Sequence, residues 1–141
     1  MTLKQISVFL ENRSGSIAEL TGILFDAGIN ISAFSIADTT DFGIVRLILD
    51  KPELANEKLA EHGIPAITTD VLAVKLDDVP GSLHKAVSVL SDSNTSIEYS
   101  YAFFSPKSGP FAIIRVQDND AAIEQLNAAG IATITNADFF N

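Results

Sequence analysis

Val8 through Ile31 reads VFLENRSGSIAELTGILFDAGINI, and Val74 through Ile97 reads VKLDDVPGSLHKAVSVLSDSNTSI. The two stretches align at a constant offset of 66: Val8 with Val74, Leu10 with Leu76, Gly15 with Gly81, Ser16 with Ser82, Asp26 with Asp92 and Ile31 with Ile97. The match resumes after an insertion. Ile44-Val45-Arg46 stands against Ile113-Ile114-Arg115 at offset 69, and Leu59 and Gly63-Ile64 against Leu126 and Gly130-Ile131 at offset 67. A period of nearly half the chain marks the duplication of one small module, and two copies are too few for an open solenoid. The expected organisation is one domain over residues 1–70 and a second over 71–141.

Each copy carries the same signals in the same order. Lys4–Leu10 is rich in β-branched and aromatic residues and reads as a strand. Gly15 supplies a tight turn, and Ser16 opens a helix in which Glu19 completes an S-x-x-E capping box. Ile17, Leu20, Leu24 and Ala27 give that helix one apolar stripe, and Gly28 ends it. Ile29–Ala37 and Gly43–Leu49 form a hairpin across Asp38-Thr39-Thr40-Asp41. Pro52 begins a second helix with Leu54, Ala55 and Leu59 inward and Gly63 at its end. Ala66–Asp70 is a fourth strand.

The second copy repeats the order: strand Val71–Leu76, helix Ser82–Ser93 with Leu83, Val87 and Leu90 inward, strands Ser96–Phe104 and Phe111–Val116, helix Asp120–Ala129, strand Ala132–Asp138. The fold class is α+β, two ferredoxin-like βαββαβ domains. Right-handed crossovers put both helices of a domain on one face of its antiparallel sheet. Edge strands that pair across the short join would make one continuous sheet.

Bulk properties narrow the function classes. The 141 residues are 47% hydrophobic, with a net charge of -9. That charge is even, -5 over residues 1–70 and -4 over 71–141. Such a field repels phosphate backbones and anionic lipid, so neither nucleic acid nor membrane is an expected partner. With no cysteine, thiolate metal sites and cysteine nucleophiles are excluded. No apolar run approaches the roughly 20 residues of a bilayer span, and the N-terminus has no signal-peptide core, so a cytoplasmic protein is expected.

The strand–turn–helix openings carry a family resemblance. Leu10-Glu11-Asn12-Arg13-Ser14-Gly15-Ser16-Ile17, followed by Asp26-Ala27-Gly28-Ile29-Asn30-Ile31, resembles the start of an ACT domain. So does Asp77-Asp78-Val79-Pro80-Gly81-Ser82-Leu83, followed by Ser96-Ile97. The whole chain is thus similar to a tandem ACT protein with no attached catalytic domain. The resemblance implies binding of a free amino acid and regulation of an enzyme of amino-acid metabolism. The ACT module of phosphoglycerate dehydrogenase is similar in its loop and strand entry; Asn12 and Asn30 match two asparagines that hold its serine ligand. A histidine of that module is Leu10 here, and in the second copy the matching positions are Asp78 and Ser96. The resemblance also implies a ligand held between two domains.

The residue chemistry suits such a ligand. Gly15-Ser16-Ile17 and Gly81-Ser82-Leu83 place unpaired N–H groups and the positive end of a helix dipole where a carboxylate can sit. The ammonium needs acceptors, which Asn12, Asn30 and Asp78 supply. The candidate binding set is therefore Asn12, Arg13, Ser14, Gly15, Ser16, Ile17, Asn30 and Ile31 in one copy. In the other it is Asp78, Val79, Pro80, Gly81, Ser82, Leu83, Ser96 and Ile97. From the residues alone, turn-and-cap chemistry is the simpler account of residues 12–15, and it is the repeat and the resemblance that favour a ligand there; Asn30 fits a simple helix exit as well as binding. Tyr99 and Tyr101 read as packing.

Nothing points to catalysis. His62 and His84 have no nearby second histidine or paired carboxylates at ligand spacing, so no metal site is expected. There is no P-loop, no G-x-G-x-x-G and no nucleophile elbow, and hence no expected cofactor or catalytic residue. An amino-acid-binding regulatory module is the leading reading. A structural or protein-interaction module without a small ligand is the alternative, and a small enzyme is third. Outer strand edges and apolar sheet faces allow a homodimer.

Overall fold

A computed structural model describes residues 2–38, 42–105, 107–135 and 139–140. The expected turn at residues 39–41 lies outside them. The elements run β1 (Leu3–Glu11), α1 (Ser16–Asp26), β2 (Ile31–Asp38), β3 (Phe42–Leu49), α2 (Pro52–Glu61), β4 (Ala66–Lys75), α3 (Ser82–Asp92), β5 (Tyr99–Ser105), β6 (Gly109–Arg115) and α4 (Asn119–Ala128). The described residues fall into two compact units, Lys4–Thr69 and a second from Asp70 onward together with the first residues of the chain.

The first unit has strand order β2-β3-β1-β4. β1 and β3 are antiparallel, with Val8 opposite Val45, and so are β2 and β3, with Ile36 opposite Val45. Ile6, Val8, Leu10, Val45, Leu47 and Leu49 line the sheet face that packs on Leu20, Leu24, Ala55 and Leu59 of the helices. Each such leucine taken out of water contributes roughly 1.5–3 kcal/mol. α1 ends in a Schellman motif: Gly28 N–H donates to Phe25 C=O (3.0 Å) and Ile29 N–H to Leu24 C=O (2.9 Å).

The second unit has the same order. β5 pairs with β6, β6 with β4, and the segment around Thr133 bridges to Val74 on the far side of β4. Its core holds Leu72, Val74, Ala86, Leu90, Ile114, Ala122 and Leu126.

Several local expectations are corrected. The two expected strands Ala66–Asp70 and Val71–Leu76 are one, Ala66–Lys75, in which the β-branched Thr69 and Val71 override the turn preference of Asp70 between them. Among the described residues of the expected strand Ala132–Asp138 there is an isolated bridge, Thr133 to Val74. Lys75 N–H donates to Ala132 C=O (3.0 Å) and Ile134 N–H to Ala73 C=O (2.8 Å), while residues 136–138 lie outside the described set. The capping box at Ser16 does not form: Gly15 is the N-cap, without a side-chain cap bond. The inward stripe of α1 is Ser16, Leu20, Ile23 and Leu24, and Ile17 is 40% exposed. In α3 it is Ala86 and Leu90, backed by Val89, and Leu83 is 48% exposed.

α4 is begun by a side chain. Asp118 is its N-cap, and a carboxylate oxygen accepts from Ala121 N–H (3.1 Å). Asp118→Ala is expected to cost about 1 kcal/mol by removing that acceptor, read as a lower urea midpoint with an unchanged slope.

Candidate functional site

The two strand–turn–helix corners repeat their backbone hydrogen bonds. Arg13 N–H donates to Glu11 C=O (2.9 Å), and Val79 N–H to Asp77 C=O (2.8 Å). Ser16 N–H reaches Arg13 C=O, and Ser82 N–H reaches Val79 C=O, both at 3.4 Å. Glu19 N–H donates to Gly15 C=O and Lys85 N–H to Gly81 C=O, both at 2.9 Å. Gly15 and Gly81 have φ of 90° and 88°, which L side chains rarely adopt, so glycine is what the corner requires. Ser16 N–H and Ser82 N–H are thus taken up by the corner, and the N–H groups that follow them at the start of α1 and α3 have no partner within the helix.

The serines after these glycines play opposite parts. Ser16 Oγ donates to Glu11 C=O (2.9 Å) and is buried, whereas Ser82 Oγ accepts from Asp77 N–H (2.9 Å). Each latches its corner to the end of the preceding strand.

Beside each corner is a cleft. The first, about 230 Å³, lies between the β1–α1 corner and the α2–β4 turn, and is lined by Leu10, Ile64, Ser16, Glu11, Arg13 and Glu19. The second, about 240 Å³, has Leu76, Ile131, Ser82, Asp77, Lys75 and Lys85. Cavities of this size, below the roughly 300–1,000 Å³ of drug-sized sites, suit a metabolite. Glu19, Lys85 and the turns at Gly63-Ile64 and Gly130-Ile131 were not in the expected binding set. The matched Gly-Ile pairs at offset 67 were the visible signal for them.

The first rim is an ion-paired cluster. Arg13 lies 2.9 Å from Glu19 and 3.4 Å from Glu11. The hydrogen bond and charge of Glu19, and then Glu11, raise the Arg13 guanidinium above its ordinary pKa.

The expected site residues fall into two groups in each unit. Residues 12–17 and 78–83 form the corners, where Asn12, Arg13, Ser14 and Gly15 are exposed, as are Asp78, Val79 and Pro80. Asp77 and Asp78 lie in the loop after β4. Asn30 and Ile31 lie elsewhere. Glu11 pairs with Phe42 and Ile31 with Leu49, opposite ends of β3 and roughly 23 Å apart at ~3.3 Å per residue. Asn30 N–H donates to Asp50 Oδ1 (2.9 Å). Ser96 and Ile97 precede β5 at the matching end of the second unit. Within one unit, then, the corner and the second-strand entry cannot touch the same small ligand.

Among the described residues no group of three or more His, Asp or Glu is placed to hold a metal ion. His62 caps α2, its Nδ1 2.9 Å from Lys58 C=O, and His84 is exposed near Ser88. No helix among them is long and apolar enough to cross a membrane.

Residues 1–140 match the ACT domain pair family. The chain belongs to that family. A solved protein from Bacteroides thetaiotaomicron is 35% identical over 100% of this chain and 97% of its own, with a TM-score of 0.92. The ligand-free regulatory subunit of aspartate kinase from Thermus thermophilus is 18% identical over 89% of this chain and 91% of its own (TM-score 0.63). The corresponding subunit from Thermus flavus is 19% identical over 90% and 92% (TM-score 0.60). At these identities the Thermus proteins share the fold. No protein of curated function matches. The ACT assignment accounts for the two βαββαβ modules and for the resemblance at both corners.

Proposed function

We propose that this ACT pair is a regulatory module that binds a free amino acid and does no chemistry on it. The observation that carries the reading is the duplicated glycine corner with its metabolite-sized cleft, in a chain of this family. The ligand carboxylate meets the first N–H groups of α1 or α3, where the helix dipole favours negative charge. Asn12 in the first unit, or Asp77 on the second cleft, accepts from its ammonium. Asn30-Ile31 and Ser96-Ile97 lie far from their own corners, so they reach a corner-bound ligand only from a second ACT module. The proposed site is therefore at an interface between two modules.

A ligand held in that way favours one arrangement of the modules, and an enzyme that reads the arrangement is the proposed partner. Regulatory subunits of aspartate kinase support this at the level of fold alone. An interaction module without a small ligand is favoured instead by the exposure of Phe25 (81%), Phe34 (63%) and Phe42 (54%), which also suits a homodimer.

Thermal melts against each of the twenty amino acids at millimolar concentration test the choice. A ligand at a hundredfold excess over Kd stabilises by about 2.7 kcal/mol. Selective stabilisation by one or two amino acids is the expected result. No shift with any of them favours the interaction module.

A further inference from the structure

The two clefts share their frame but differ in rim charge. Leu10 matches Leu76, Ser16 matches Ser82 and Ile64 matches Ile131, so the backbone and apolar lining are common to both. Around them Phe9 has become Lys75, Arg13 has become Val79 and Glu19 has become Lys85, while Glu11 remains acidic as Asp77. The first rim carries two carboxylates and one cation, and its cation is already paired with both. The second carries two ammonium groups and one carboxylate. Among the described residues neither Lys75 nor Lys85 has an ion-pair partner. Both lysines are exposed, so in the free protein water solvates their charge. Two unpaired ammonium groups on one cleft leave an excess of positive charge that a ligand can neutralise.

We infer that the second cleft is specific for a dicarboxylic amino acid, with Lys75 and Lys85 as the residues that select it. The inference rests on the amino-acid-binding reading and deepens it. Such a ligand carries two carboxylates and one ammonium, the complement of two lysines and Asp77. Its α-carboxylate takes the N–H groups at the start of α3, its ammonium meets Asp77, and its side-chain carboxylate lies between Lys75 and Lys85. An amide of the same shape presents an NH2 group, a donor, to donors, and leaves at least one ammonium without an acceptor. Discrimination of this kind is steep, because the cost falls on the group left unpaired. In the first cleft Arg13 stands where the ligand's cation would otherwise be needed, and the rim is satisfied without one.

Calorimetric titration of the full chain at low ionic strength compares glutamate and aspartate with glutamine, asparagine, lysine and serine. A dicarboxylate is expected to bind at least about tenfold more tightly than its amide, the scale of one charge-assisted hydrogen bond. Lys85→Glu is expected to remove that preference, whereas Lys58→Glu, which makes the same change in net charge on α2, leaves it intact. Circular dichroism establishes that each variant is folded. Equal affinity for glutamate and glutamine, or selective binding of an amino acid that is not a dicarboxylate, overturns this inference and leaves the amino-acid-binding reading standing. A preference that survives Lys85→Glu in the folded variant also overturns it. No binding of any amino acid removes both.

Discussion

Gly81→Val is expected to abolish ligand-dependent stabilisation through the second unit and to lower the melting temperature of the free protein. Gly81 sits at φ 88°, where a β-branched residue is strained, and holding one there costs of order 1–3 kcal/mol. At roughly 2–4 °C per kcal/mol for a chain of this size, the fall amounts to several degrees. A Cβ at Gly81 meets no heavy atom within 4 Å, so the damage comes from backbone conformation rather than from a clash. Gly81→Asn separates these causes. Asparagine tolerates the left-handed region, so it should keep most of the stability and most of the binding that valine loses. Equal effects of the two replacements would mean that side-chain volume, not backbone geometry, governs the corner. Gly15→Val makes the same prediction for the first unit.

The largest stability loss is expected from Leu90→Ala. Leu90 is fully buried in the second core, and truncation there costs about 2–5 kcal/mol in lost transfer energy and cavity. Leu83→Ala, two turns earlier near the start of α3, should stay within about 0.5 kcal/mol, because Leu83 is already half in water. Paired urea titrations of the two variants check the orientation of α3. Comparable losses would mean that the helix is turned toward the face that the apolar pattern first suggested.

That orientation marks where the sequence was legible and where it was not. The strand and helix order could be read from the 66-residue repeat, since a glycine, an apolar stripe and a second glycine recur in register. The exact inward face could not. At ~100° per residue, Ser16, Leu20, Ile23 and Leu24 span one arc, with Ile17 at its edge. Ser16 occupies the buried side because its hydroxyl is satisfied by Glu11 C=O, a bond made by the fold of the corner and not by any local pattern. Its counterpart Ser82 and the exposed Leu83 show the same rotation in the second copy.

The corners themselves were legible, because glycine before a serine-led helix is a local signal. The rims of the clefts were not. The local pattern makes Glu19 a capping residue, but its carboxylate turns to Arg13, a partner six positions away whose charge outcompetes a cap bond to the backbone. Lys75 and Lys85 lie on different elements ten residues apart, and only folding brings them to one cleft. The merging of two expected strands into β4 has a simpler cause. Thr69 and Val71 are β-branched and keep the chain extended on both sides of Asp70, whose own preference is for turns.

The central claim is that the duplicated glycine corners hold an amino acid. Amide-resolved NMR titration of the labelled protein with each amino acid that stabilises it tests that claim at the level of single residues. The expected result is saturable shifts at Gly15, Ser16 and Ile17 or at Gly81, Ser82 and Leu83, with the rest of the same sheet little changed. Saturable shifts confined to other parts of the chain, with both corners silent, would contradict it.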